Sequence, residues 1–221
     1  MASLGITVTQ PQIDQFALYA SQLKSWNQAA NLTTITGDEE IVVKHFIDSL
    51  APLKKEYITG DGRLLDVGTG AGFPALPLKI MRPDIAMVLL EPANKKVSFL
   101  RFIVGLLKLK DVTIFAGSLK DYAHSKLGAV FDYVTFRAVN YRLVLEDCSS
   151  LLSEKGRIVF YTSKPVQAPE LGPMWKTDQS FSFNLPGNYG SRVISLIEKS
   201  EDITKEPAQA QCSTWNRGIN N

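Results

Sequence analysis

Cysteine is almost missing from this chain of 221 residues: only Cys148 and Cys212 occur, and they form no C-x-x-C pair. Two isolated thiols exclude a disulfide framework and a zinc knuckle, and they suit a reducing, cytoplasmic compartment. Histidine is as scarce, with His45 and His124 alone, and no second metal-type ligand accompanies either, so no metal centre is expected. A surplus of one charge is absent too. The formal net charge is +2, which permits nucleic-acid binding without arguing for it, because dedicated nucleic-acid domains carry a clearer basic excess. No apolar run exceeds strand length, so no membrane span is expected. The opening MASLGITVTQ lacks the basic and apolar regions of a secretory leader, so none is expected. There is no internal repeat and no low-complexity tract.

What is present is ordinary for a folded protein: 45% hydrophobic and 21% charged residues. The length suits one domain with a modest extension. Residues 1–60 read as a helical extension. Ile13, Phe16, Ala17, Ala20, Leu23 and Trp26 recur at helical spacing behind Thr9 and Pro11, which suit a cap and a first turn. A turn at Asn31-Leu32-Thr33 leads to a second helix, capped by Asp38 and carrying Ile41, Val42, His45, Phe46 and Ser49 on one side.

From residue 61 to 199 the pattern becomes strand and helix in alternation. Strands are expected at 64–67, 86–90, 112–115, 133–136 and 157–161, with helices at 74–81, 94–107, 118–125 and 142–152. Near-continuous apolar strands between helices predict a parallel α/β sheet covered on both faces, a Rossmann-like doubly wound fold. Residues 181–185 and 193–197, joined by PGNYG, predict an antiparallel C-terminal edge. Residues 200–221 form a polar tail without periodicity.

The strongest chemical signal is LLDVGTGAGFP, residues 64–74. A buried strand delivers Asp66 at its end, and Gly68, Gly70 and Gly72 form a turn into a helix. Glycine suits such a turn because the backbone must approach a ligand closely and adopt positive φ. A dinucleotide loop would read G-x-G-x-x-G, with helix-terminal amides on a pyrophosphate. Here the third glycine position holds Phe73, and Asp66 would repel a pyrophosphate but attract the cationic amine of a methionine moiety. Glu91 ends the next strand, where it could bind ribose hydroxyls of either cofactor. The loop therefore favours S-adenosyl-L-methionine over a nicotinamide dinucleotide.

Several segments extend the pattern: WNQAANLTTIT (26–36), VKHFIDSL (43–50), DVGTGAGFPALPLKI (66–80), KKVSFL (95–100) and FRAV (136–139). Together they resemble the bacterial small-subunit ribosomal RNA guanine-N7 methyltransferases, the RsmG or GidB family, over about residues 10–200. The resemblance implies a class I methyltransferase that moves a methyl group from S-adenosyl-L-methionine to guanine N7 in 16S rRNA, in or near the 30S subunit. It implies cofactor contacts at Gly68, Phe73, Glu91 and Arg137, and places Leu119 and Lys120 where the family has alanine and glutamate beside the adenine. Asp121 is the nearest carboxylate that could substitute. Where the family has A-L-K after the fifth strand this sequence has YTSK, moving the lysine to Lys164, and SEDITKEPAQAQ replaces a basic tail. The cofactor set is thus Asp66, Gly68, Gly70, Gly72, Phe73, Glu91, Leu119, Lys120 and Arg137, with Arg137 also positioning for catalysis.

Guanine N7 carries a free lone pair, so no catalytic base is required, and rate should come from positioning and desolvation. His45 and Asp48 lie close on the second helix and face either the cleft or the core. Trp26 suits core better than a base-stacking role. Lys95, Lys96, Arg101, Lys108 and Lys110 make a basic stretch that is a solvated face or a phosphate contact. The expected protein is a cytoplasmic monomer. Other readings are a same-fold methyltransferase acting on a small molecule or protein, a non-catalytic RNA-binding assembly factor and, last, a nicotinamide oxidoreductase.

Overall fold

The alternation of short apolar strands with helices is realised as seven strands in one sheet. The computed structural model describes residues 4–125, 129–137, 140–166 and 171–200; the C-terminal tail and the Ala138-Val139 end of the FRAV segment lie outside them. The strands are β1 (Arg63–Val67), β2 (Ala86–Leu90), β3 (Val112–Phe115), β4 (Phe131–Arg137), β5 (Leu152–Thr162), β6 (Trp175–Asn184) and β7 (Ser191–Lys199). Their order is β3-β2-β1-β4-β5-β7-β6. The first five pair in parallel, while β7 pairs antiparallel with both β5 and β6. The fold class matches the expectation, including the antiparallel edge. Strand order reverses between β1 and β4, so the crevice beyond their C-terminal ends is where such a sheet takes a ligand.

Because side chains alternate across a strand, β1 and β2 feed two separate cores. Leu64, Met87 and Leu89 face one apolar cluster, with Val159, Tyr161 and Ile194. Leu65, Val67, Val88 and Leu90 face the other, with Phe136, Ile158 and Phe160. The first face is covered by α1 (Gln10–Ala30), a helical run α2 over residues 38–55, α3 (Ala75–Met81) and α4 (Asn94–Leu106). The second is covered by α5 (Leu119–His124) and α6 (Tyr141–Leu151).

The N-terminal helices depart from the expected stripes. In α1 the fully covered residues are Phe16, Tyr19 and Leu23, whereas Ile13 is 47% exposed. Tyr19 takes the core position because its hydroxyl donates to the Ala71 carbonyl, so a polar tip is buried without loss. Gly37, not Asp38, caps α2. That run also holds a π-helical stretch, Ile41–Ile47, followed by the turn Asp48–Leu50. The wider turn rotates Val42 outward to 41% exposure and brings Val43 inside. π-Turns of this kind concentrate at functional sites, and this one aims His45 and Asp48 at the sheet.

Candidate active site

Three glycines shape the turn from β1 into α3. Gly68, Gly70 and Gly72 have φ of +67°, +62° and +99°. The turn is tied on both sides: Thr69 N–H donates to Leu90 O (3.0 Å), and Thr69 O accepts from Gly72 and Phe73 N–H, each at 2.9 Å. Glu91 braces it further, its Oε2 accepting from Gly70 N–H and its Oε1 from Ala93 N–H, both at 2.9 Å. A carboxylate has roughly four acceptor directions, so Glu91 retains capacity for hydroxyl donors while it holds the loop.

Beside this turn a cavity of about 590 Å³ opens at the C-terminal ends of the parallel strands. Gly68, Pro92, Ser118, Leu119, Lys120 and Val144 line it, with Glu146 and Asp147 on the α6 side. A larger cleft of about 890 Å³ lies at the opposite edge, around Lys79, Arg82 and Lys108–Asp111. That edge holds the N-terminal ends of the strands, away from the ligand-binding crevice. The smaller cavity fits an S-adenosyl nucleoside: apolar walls suit the adenine, Glu91 stands next to it, and Glu146 and Asp147 outnumber the one lysine of its lining, Lys120. Of the expected contacts, Gly68, Leu119 and Lys120 line the cavity. Asp121 does not; its Oδ2 accepts from Ser118 N–H and Oγ–H (2.8 and 2.6 Å) and caps α5.

Asp66 is fully buried on the α1–α3 side of the turn, behind the loop. Thr135 Oγ1 donates to its Oδ1 at 2.8 Å. Its Oδ2 has no hydrogen bond of good geometry, although the Thr69 hydroxyl and Ala75 N–H lie near enough to favour the ionised form. Phe73 is stacked between two rings, Tyr19 at 5.2 Å and His45 at 4.3 Å, within 9° of parallel in both cases.

Arg137, at the end of β4, joins the turn to the N-terminal helices. Its Nη1 donates to Asp48 Oδ2 (3.0 Å) and Lys44 O (3.1 Å), its Nη2 contacts His45 Nδ1 at 3.3 Å, and its guanidinium lies 5.6 Å from the Phe73 ring centre. Arg192 of β7 approaches the second Asp48 oxygen at 3.6 Å. Trp26 is half-buried and packs on Phe99 and Phe102 at the margin of the core. His124 is exposed and its Nδ1 bonds the Lys120 carbonyl at 2.7 Å. Lys164 is exposed in the turn after β5.

A family model described as GidB, rRNA small subunit methyltransferase G, matches residues 12–172. The chain belongs to this family. It is 34% identical over 216 residues to the ribosomal RNA small subunit methyltransferase G of Streptococcus agalactiae, covering 93% of this chain and 91% of the relative. To that of a Geobacter species it is 36% identical over 207 residues, covering 90% and 94%. Among solved structures, TrmN from Thermus thermophilus aligns with a TM-score of 0.56 at 16% identity, over 69% of this chain and 48% of that one. A precorrin-6y C5,15-methyltransferase from Geobacter metallireducens gives 0.51 at 17%, over 69% and 86%. These two likenesses are of fold. Family membership makes the protein an rRNA methyltransferase enzyme.

Burial sets the protonation of the groups around the turn. It pushes the Asp66 carboxyl up to about 6, against the bond from Thr135 and the nearby Thr69 hydroxyl. It lowers the His45 imidazole to about 3, helped by the Arg137 and Lys44 charges. Asp48 is raised by burial and pulled back by Arg137 and Arg192. The two shifted values act on stability with opposite signs. Between about pH 4 and 6 the folded state keeps a proton on Asp66 that the unfolded chain releases, so stability falls as pH rises. Over the same window the unfolded chain protonates His45 and the folded state does not, so stability falls as pH drops. The two slopes oppose each other in the native protein. Replacing His45 by Gln removes one of them, and the variant is expected to gain about 3 kcal/mol relative to the native protein between pH 6 and 4, at about 1.4 kcal/mol per unit. Urea unfolding across that range checks it, and a pH-independent difference between the two proteins contradicts the opposing shifts.

The sequence pointed to the loop and to Glu91 but not to Tyr19, Thr135 or Arg192. Tyr19 falls off the apolar stripe drawn for α1, and Thr135 is an ordinary strand residue by pattern. Arg192 sits in the last strand with no motif around it.

Proposed function

We propose that the protein transfers the methyl group of S-adenosyl-L-methionine to N7 of a guanine in 16S rRNA of the small ribosomal subunit, as a cytoplasmic monomer. In this reading residues 1–60 are the helical extension, 61–199 the catalytic domain and 200–221 a tail. The observation that carries it is the charge around the loop. The cavity at the β1/β4 switch point has a tight glycine turn and more carboxylates, Glu146 and Asp147 with Glu91 adjoining, than cations, Lys120, a balance that suits a cationic nucleoside and disfavours a pyrophosphate.

S-adenosyl-L-methionine, when bound, supplies a methyl group on a positively charged sulfur. The chain's residues do the rest by placement. Gly68 lets backbone approach the ligand, Glu91 accepts from hydroxyls while fixing Gly70, and Leu119 and Val144 wall the adenine. Arg137 and the Phe73 ring close the side that faces α2 and order the reacting groups. No general base is needed at N7. Accordingly His45, lowered to about 3, stays neutral at physiological pH. The exposed Lys95, Arg101, Lys108 and Lys110 of the α4 region supply phosphate contacts, each of them weak and additive. The target base should be presented in a loop or opened region, where its N7 edge is accessible.

Methyl transfer from labelled S-adenosyl-L-methionine to small subunits, naked 16S rRNA and total protein extract tests the reading. Label in 7-methylguanosine of the rRNA supports it; label confined to protein or small molecules refutes it. Glu91→Ala is expected to weaken S-adenosylhomocysteine binding by roughly 10- to 100-fold, since a charge-assisted acceptor contributes about 1.5–3 kcal/mol. Calorimetry measures this, and unchanged affinity removes Glu91 from the site.

A further inference from the structure

Three separated sequence segments are joined in the fold by one chain of hydrogen bonds that ends on Arg137. It starts on α1, where the Asn27 side chain brackets Thr33: Nδ2 donates to Thr33 O and Oδ1 accepts from Thr33 N–H, both at 2.9 Å. Thr33 is thereby held with its Oγ1 3.0 Å from His45 Nε2. The same oxygen accepts from Ile35 N–H at 3.1 Å, which fixes the turn further. His45 Nδ1 then meets Arg137 Nη2 at 3.3 Å.

The proton positions follow from chemistry. A guanidinium has donors only, so Nδ1 must present its lone pair and Nε2 must carry the hydrogen, which it donates to Thr33. His45 is therefore neutral and in one tautomer. Its ring plane is set independently by the stack on Phe73, 4.3 Å away and within 9° of parallel. Asp48 and the Lys44 carbonyl hold Arg137 through Nη1, and His45 is the partner that holds the other end of the fork, Nη2.

We propose that His45 is a positioning residue for methyl transfer: held in a single tautomer by the Asn27–Thr33 turn, it accepts from Arg137 Nη2 and sets the guanidinium in its working orientation. The inference rests on Arg137 belonging to the methyl-transfer site, as read above. It assigns a role to the WN…NLT and KHFIDSL segments that neither apolar packing nor RNA contact explains, because Asn27, Thr33 and His45 meet each other and not the cavity.

The test compares His45→Phe, His45→Asn and Arg137→Lys on small subunits purified from a strain lacking the methyltransferase. Phenylalanine keeps the stack on Phe73 and loses the acceptor; asparagine returns an amide oxygen near the Nδ1 position. His45→Phe is expected to lower kcat roughly 10- to 100-fold, the size of a slight misplacement at a reacting centre, with KM for the subunit unchanged. Asparagine should restore kcat to within about threefold of native, and His45→Phe combined with Arg137→Lys should be no slower than Arg137→Lys alone. Full kcat in His45→Phe, or losses of the Phe and Asn variants that simply follow their Tm, overturns the proposal. If Arg137→Lys itself leaves kcat and S-adenosylhomocysteine affinity intact, the placement of Arg137 in the site is what fails.

Discussion

Arg137→Leu is expected to cost about 3 kcal/mol or more of folding stability and to abolish methyl transfer. Asp48 has only 4% of its side chain exposed, and Arg137 Nη1 is its sole hydrogen-bond donor among the described residues. Removing one partner of a buried ion pair strands the other charge and typically costs about 3–5 kcal/mol. Arg192, 3.6 Å from Asp48, recovers part of the loss, which places the effect near the lower end. Asp48→Leu should cost less, since Arg137 is 19% exposed and also bonds the Lys44 carbonyl, so it retains water and a partner. The double variant should regain much of the stability, because apolar residues of similar volume often replace a buried pair without penalty. Its activity should stay lost, as the guanidinium is gone. Urea midpoints with an unchanged m-value separate these cases. A single Arg137→Leu variant as stable as the native protein contradicts the account, and so does a double variant no more stable than that single one.

Gly72→Ala is expected to disrupt the loop more than the same change at Gly70. An added Cβ would lie 2.5 Å from Leu76 Cδ1 and 2.6 Å from Tyr19 Oη, and the backbone there has φ of +99°. Positive φ costs an L-residue about 1–2 kcal/mol, and forced overpacking adds about 1–3 kcal/mol. The Tyr19 hydroxyl cannot yield without giving up the Ala71 carbonyl it holds. At Gly70 the nearest atom to a new Cβ is 4.0 Å away, so only the φ penalty applies. Thermal unfolding should therefore show a drop of about 2–5 kcal/mol for Gly72→Ala and a much smaller one for Gly70→Ala. S-adenosylhomocysteine affinity should fall with Gly72→Ala even where the protein remains folded. Equal effects at the two positions would show that steric contact with α1 and α3 does not govern the loop.

The helical groove geometry explains where pattern reading failed. A stripe of apolar residues at spacings of three and four assumes 3.6 residues per turn, and α2 breaks that assumption in its π-helical stretch. In α1 the period holds, since the buried Phe16, Tyr19 and Leu23 lie at spacings of three and four; there a stripe drawn through the apolar Ile13 passes over Tyr19, whose buried hydroxyl is satisfied by a carbonyl 52 residues away. Asp66 reads as a ligand residue from its place at a strand end. Its surroundings, a fully buried pocket shared with Thr135, became visible only with β4 beside β1.

Local chemistry determined what could be read from the amino-acid order: period-two and helical apolar spacing, the three glycines that require positive φ, and the acid at each strand end. Those features are properties of neighbours in the chain, and they were enough for the doubly wound sheet and the cofactor turn; the family was legible only as a resemblance, in segments such as WNQAANLTTIT and VKHFIDSL. Tertiary structure decided the rest. Asn27, Thr33, His45, Asp48, Arg137 and Arg192 come from α1, a turn, α2, β4 and β7, and nothing local marks them as one network. Their protonation states and bonds exist only where burial removes water and places a guanidinium against an imidazole, a condition that sequence spacing does not encode.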